Sequence, residues 1–148
     1  MKPEVDVVLR SMMTKLLLEV APAVRDAYVR SNVEAMVALL AAAAEEFDRA
    51  AEVRVAENRS MREILRAATV HMPDGRLRAR LAAAAEEREP SLRIGDLNAA
   101  NDQLRALLIE LHALVEGRDE EWARRIDGTI WAELRASARR RAISFYPF

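Results

Sequence analysis

No cysteine occurs among the 148 residues, which excludes disulfides, thiolate nucleophiles and cysteine-based zinc or iron–sulfur sites. Glycine and proline are scarce, four and five residues, so few positions interrupt regular backbone. Neither sign of charge is in excess: the formal charge is −1, and the chain as a whole lacks the basic surplus of nucleic-acid and anionic-membrane binders. Lysine appears only at positions 2 and 15, an arginine bias that points to a GC-rich coding genome rather than to a binding surface. Long apolar runs are missing too. The longest, Met36 to Ala44, is about half of what spans a bilayer. Met1 to Arg10 mixes acids with apolar residues and has no secretory pattern, so the expected compartment is the cytoplasm, with no membrane partner.

Present in abundance are Ala, Leu, Glu and Arg, the residues that lose least entropy on entering a helix. With 51% hydrophobic and 32% charged residues, the composition is that of a chain able to bury a core. The expectation is an all-α fold: one domain over residues 1–148, a single bundle of five or six helices around a long central helix.

Val5, Val8, Leu9, Met12, Leu16 and Val20 form one stripe and predict a first helix over Glu4 to Val20. Pro22 fits the first turn of a following helix, which places a break at Ala21–Pro22. From Ala23 to Glu57 the pattern is apolar on two faces, one through Tyr28, Ala35 and Leu39, the other through Val29, Val33, Met36 and Phe47. Such a helix is roughly 50 Å long against a radius of gyration near 15 Å for this chain length. It must break, bend or pack beyond one subunit, and rising polarity places an end or kink at Ala51 to Glu57.

Ser60 and Glu63 have the spacing of a capping box and predict a helix over Met61 to His71, followed by a turn at Met72 to Gly75. Leu77, Leu81 and Ala84 predict a short helix over Arg76 to Arg88, ended by Pro90. Asp96 is the expected cap of the cleanest stripe, Leu97 through Leu104, Leu108 and Leu111 to Val115, closed by Gly117. A last helix from Asp119 to about Ala142 turns Trp122, Ile126, Ile130 and Leu134 inward, and the apolar ending Ile143 to Phe148 is expected to pack on the body or on a second subunit.

Candidate chemistry is thin. His71 and His112 lack an acid at the Glu-x-x-His spacing of di-iron bundles and read as partly exposed or capping residues. Glu45, Glu46 and Asp48, like Glu86, Glu87 and Glu89, read as solvated carboxylates, with Glu45–Arg49 and Glu133–Arg140 as surface pairs. The basic end Arg135, Arg139, Arg140 and Arg141 complements a helix dipole, and Arg76, Arg78 and Arg80 are followed at once by acids, so nucleic acid is not the expected partner. Asn32 and Asn101 stand out, because Asn is a poor helix former and each lies in an apolar helix. Buried Asn requires partners, and the expected role of these two is to fix helix register, a ligand pocket lined by Tyr28, Arg30, Asn32 and Asn101 being the alternative. No catalytic residue, metal site or cofactor is expected.

Tyr28-Val-Arg-Ser-Asn32, Leu97-Asn-Ala-Ala-Asn101-Asp-Gln-Leu104 and Leu134-Arg-Ala-Ser-Ala-Arg139 to Tyr146 resemble stretches of an uncharacterised family of small helical bacterial proteins. That family is encoded beside aminoglycoside-phosphotransferase-like kinases and acyl-CoA dehydrogenases. The ending Ser144 to Phe148 departs from the Asn-Pro tail of that family. The resemblance implies an all-helical fold and an accessory role near acyl-CoA metabolism, and it supplies no catalytic residues. Three readings follow: a self-associating helical interaction module, expected to form a homodimer or to meet a partner protein; a small-molecule binder or enzyme with a pocket between helices; and, last, a DNA-binding regulator.

Overall fold

The computed structural model describes residues 3–73 and 75–144, and the architecture is all-α. Helix α1 (Val5–Lys15) widens into a π turn (Leu16–Val20) and returns to α geometry in α2 (Ala21–Ala23). The amide of Ala21 donates to the Leu16 carbonyl, a five-residue step. Pro22 has no N–H to offer the Leu18 carbonyl, and the wider turn just before it absorbs that loss. The break predicted at Ala21–Pro22 therefore lies a few residues later, where Val24 turns extended. Asp26 Oδ1 accepts the amides of Tyr28 (2.8 Å) and Val29 (3.0 Å), and that cap starts the next helix.

Helix α3 (Ala27–Thr69) runs 43 residues without interruption. The helix end predicted within Ala51 to Glu57 and the new start at Ser60 are both corrected. Ser60 Oγ donates to Glu133 Oε2 at 2.6 Å instead of capping a helix, and Glu57 and Asn58 before it are buried against partners rather than solvated. Helices α4 (Arg76–Glu86), α5 (Ile94–Val115) and α6 (Glu121–Arg141) follow close to their predicted places. Helix α4 stops short of Pro90, and Asp96 sits inside the first turn of α5, accepting the Ser91 hydroxyl, rather than at its cap. Gly117 holds φ +75° just beyond α5, the left-handed position that favours glycine.

The chain divides into two compact units, the described residues of Met1–Ala50 and Ile143–Phe148, and those of Ala51–Ala142. In the second, Met61, Ile64, Leu65 and Ala68 of α3 repeat at helical spacing and join Leu81, Ala84 and Ala85 of α4, Leu104, Leu108 and Leu111 of α5, and Ala123, Ile126 and Ile130 of α6 in one core. Trp122, Leu77, Leu114 and Leu134 pack against it.

In the first unit the buried face of α3 is narrow, carried by Val33, Val37 and Ala44. Tyr28, Val29, Met36, Leu39 and Phe47 are exposed. Neither of the two apolar faces foreseen in the sequence is covered as a face: Tyr28, Ala35 and Leu39 of the one and Val29, Met36 and Phe47 of the other are exposed, and the buried stripe runs between them through Val33, Val37 and Ala44. The predicted packing of the aromatic ending falls on Phe145–Phe148, outside the described residues, and Ile143 before it is exposed.

Leu111, fully buried in the core, should cost about 2–5 kcal/mol when replaced by alanine. Ile109→Ala, on the opposite side of the same helix and 69% exposed, should stay within about 0.5 kcal/mol. Urea unfolding of the two variants checks both.

Candidate functional site

Polar residues in the middle of apolar stripes converge at one place in the unit of residues 51–142. Glu57 lies one turn before the core residue Met61 on α3 and has no solvent exposure. Helix α6 brings Arg141 against it in a two-pronged contact, Nε to Oε1 at 2.7 Å and Nη2 to Oε2 at 2.5 Å. One turn earlier on α6 the Ser137 hydroxyl donates to Oε1 at 2.6 Å. From α5, Asn101 Nδ2 reaches Oε2 at 3.2 Å and Arg105 Nη2 at 3.4 Å. Oε1 thus receives two donors from α6, and Oε2 receives donors from both α5 and α6.

A second ring of bonds fixes the first. Asn101 Nδ2 also donates to Asn58 Oδ1 (2.8 Å), and Asn101 Oδ1 accepts Arg105 Nε (2.8 Å) and Arg141 Nη2 (3.3 Å). Asn58, equally buried, donates to the Leu97 carbonyl and to Glu89 at 3.3 Å each. Arg62 Nη1 holds the other oxygen of Glu89 at 2.5 Å. The segment between α4 and α5 is therefore tied to the same cluster.

Burial by itself raises the Glu57 pKa, because an ion loses water. The bonds from Arg141 and Ser137, with the positive charges of Arg141 and Arg105, outweigh that and hold the carboxyl at about 2, below the ordinary 4.5. A group so acidic stays ionised throughout the neutral range and takes up a proton poorly there. Its lone pairs are already occupied. Chemically, the arrangement holds three helices in one register.

Of the residues singled out in the sequence, Asn101 is buried and central, while Tyr28, Arg30 and Asn32 are exposed on the first turns of α3 in the other unit. The expectation of a buried Asn32 is corrected; the asparagine that pairs with Asn101 is Asn58. Arg141, read as a dipole-complementing surface residue, is a partner of the buried carboxylate. Glu133, read as half of a surface pair, is buried between Arg140 and Ser60. Arg80 of the second arginine cluster makes a two-pronged contact with Glu110 and holds that exposed carboxyl below its ordinary range. Glu45 pairs with Arg49 and also accepts the Ser144 amide.

His71 is exposed and stacks on Trp122, ring centroids 5.6 Å apart. His112 Nε2 lies 2.8 Å from Asp127 Oδ1 and meets the edge of Trp131. Among the described residues no three His, Asp or Glu side chains come together as a metal site, and no helix is long and apolar enough to cross a membrane.

No family model, curated protein or solved structure gives a significant match to this chain.

The folded-state pKa of Glu57 lies below the unfolded 4.5, so its stabilisation is complete above pH 4.5 and fades as the pH falls toward about 2. Glu57→Gln should cost about 3 kcal/mol at neutral pH, the loss typical of breaking a buried ion pair. The difference in stability between wild type and variant should shrink as the pH falls below 4.5. Urea unfolding of both proteins across that range measures it, and a pH-independent difference would contradict the assignment.

Proposed function

We propose that the protein is a helical interaction module that pairs with a second copy of itself through the first half of α3, in an accessory rather than catalytic role. The observation that carries this is the exposed seam. Val29, Asn32, Met36, Leu39 and Ala43 alternate spacings of three and four, the repeat of a coiled-coil face, and all five are exposed. Tyr28 and Phe47 flank them, 76% and 55% exposed.

Tyr28, Val29, Met36, Leu39 and Phe47 together offer on the order of 600 Å² of side-chain surface, the upper end of the largest apolar patch on a typical monomer and near the ~800 Å² each partner gives to a standard interface. A symmetric pair uses one patch twice, so a second copy needs no further surface. The single polar residue in the seam, Asn32, finds a matching amide in its own symmetry mate, the device by which one Asn selects register in coiled coils. An accessory setting beside acyl-CoA enzymes, implied by the family resemblance, belongs to the same proposal.

Light scattering on the purified protein at micromolar concentration should give twice the chain mass. Met36→Glu/Leu39→Glu should weaken association at least about a hundredfold, ~2.7 kcal/mol, with helical circular dichroism unchanged because both side chains are exposed. A wild-type monomer at that concentration would overturn the proposal.

A further inference from the structure

We propose that α1 forms the second half of the self-association surface, so that two copies meet hairpin to hairpin as a four-helix bundle rather than through α3 alone. The inference rests on the self-association reading and adds a helix to it. Residues 24–26 join α2 to α3 within one compact unit, and helices joined by so short a connection form an antiparallel hairpin. In such a hairpin the least exposed apolar line of each helix faces the other: Leu9, Met13 and Leu16 on α1, Val33, Val37 and Ala44 on α3.

A second apolar line is left over on α1. Val5, Val8 and Met12 stand at spacings of three and four and are 41%, 39% and 51% exposed. At about 100° per residue this line lies roughly a quarter turn from the inward one, and on α3 the seam through Val29, Met36 and Leu39 lies roughly a quarter turn from Val33 and Val37. The rotation has the same sense about each helix axis. Two antiparallel helices are related by a two-fold axis perpendicular to the plane of the hairpin, so equal rotations bring both lines to the same side. The hairpin therefore presents one apolar face two helices wide. Charge is kept off it, because Asp6 and Arg10 on α1, and Arg30 and Glu34 on α3, all lie away from the two lines.

A second copy is the occupant that fits this face. Val5, Val8 and Met12 add on the order of 200 Å² to the α3 patch, which brings the whole to the ~800 Å² that each partner gives to a standard interface. Two such faces related by a two-fold axis bury four helices around one apolar centre, the arrangement of a four-helix bundle. An anionic lipid surface does not fit, since acids outnumber bases among residues 3–50.

Sedimentation equilibrium of the full chain measures the dimer dissociation constant for the wild type and two α1 variants. Val8→Glu/Met12→Glu should weaken the dimer at least about tenfold. Val7→Glu/Leu18→Glu adds the same charge on the other side of the helix, where both residues are exposed, and should leave the constant unchanged. All four side chains are exposed, so helical circular dichroism should not move in either variant. If Val8→Glu/Met12→Glu associates like the wild type while Met36→Glu/Leu39→Glu dissociates, α1 lies outside the interface and this inference falls while the α3 pairing stands. Equal weakening by the two α1 variants would show an effect of charge rather than of the face, and would overturn it too. A monomeric wild type would overturn both readings.

Discussion

An ionised carboxylate with no access to water is the constraint around which the unit of residues 51–142 is arranged. Glu57 cannot be left alone in an apolar interior, where an unpaired charge costs several kcal/mol even after relaxation. Each helix that approaches it must present a donor at a defined height. Helix α5 offers Asn101 and Arg105 one turn apart, and helix α6 offers Ser137 and Arg141 one turn apart. Those spacings turn a demand for hydrogen bonds into a demand for register. Apolar contacts between Leu104, Leu108, Ile126 and Ile130 are non-directional and would tolerate a slide that the carboxylate does not.

Apolar burial and polar register divide the work along the same helices. The leucine-rich core below the cluster supplies most of the driving force, roughly 1.5–3 kcal/mol for each large side chain fully buried. The carboxylate cluster adds little net energy relative to a well-packed apolar replacement, since desolvation offsets much of its attraction. Its contribution is to exclude alternatives. Asn58 and Glu89 extend it to the segment joining α4 and α5, so a loop with no apolar anchor of its own is fixed by the same network. The unit formed by the described residues of Met1–Ala50 and Ile143–Phe148 has no comparable core, and its exposed apolar seam is what the self-association proposal rests on.

The helical class was legible in the sequence because period and composition agree: Leu97 to Val115 and Trp122 to Leu134 are amphipathic on inspection, and Gly117 marks the turn between them. The polar residues misled for a physical reason. Glu57, Asn58 and Ser60 interrupt an apolar pattern, and an interruption reads locally as a helix end or a cap. Only the arrival of Arg141, 84 residues later in the chain, converts that polarity into a buried site, and no local rule contains that distance. Asn101 was recognisable because it stands alone in a leucine stripe. Asn58 carried the same signal, masked by the neighbouring acid. The arginines at the end of α6 suited a helix dipole equally well, so their second role was invisible until the facing helix was known.

The ionisation state of Glu57 tests this account most directly. Carbon-detected NMR titration of the Glu57 carboxyl group follows its charge without perturbing the cluster by mutation. The resonance should remain that of a carboxylate well below pH 4.5 and reach its midpoint only near about 2, for as long as the protein is folded. A folded-state midpoint at or above the ordinary 4.5 would mean that the carboxyl is protonated where its neighbours are said to hold it charged, and the central claim would fail.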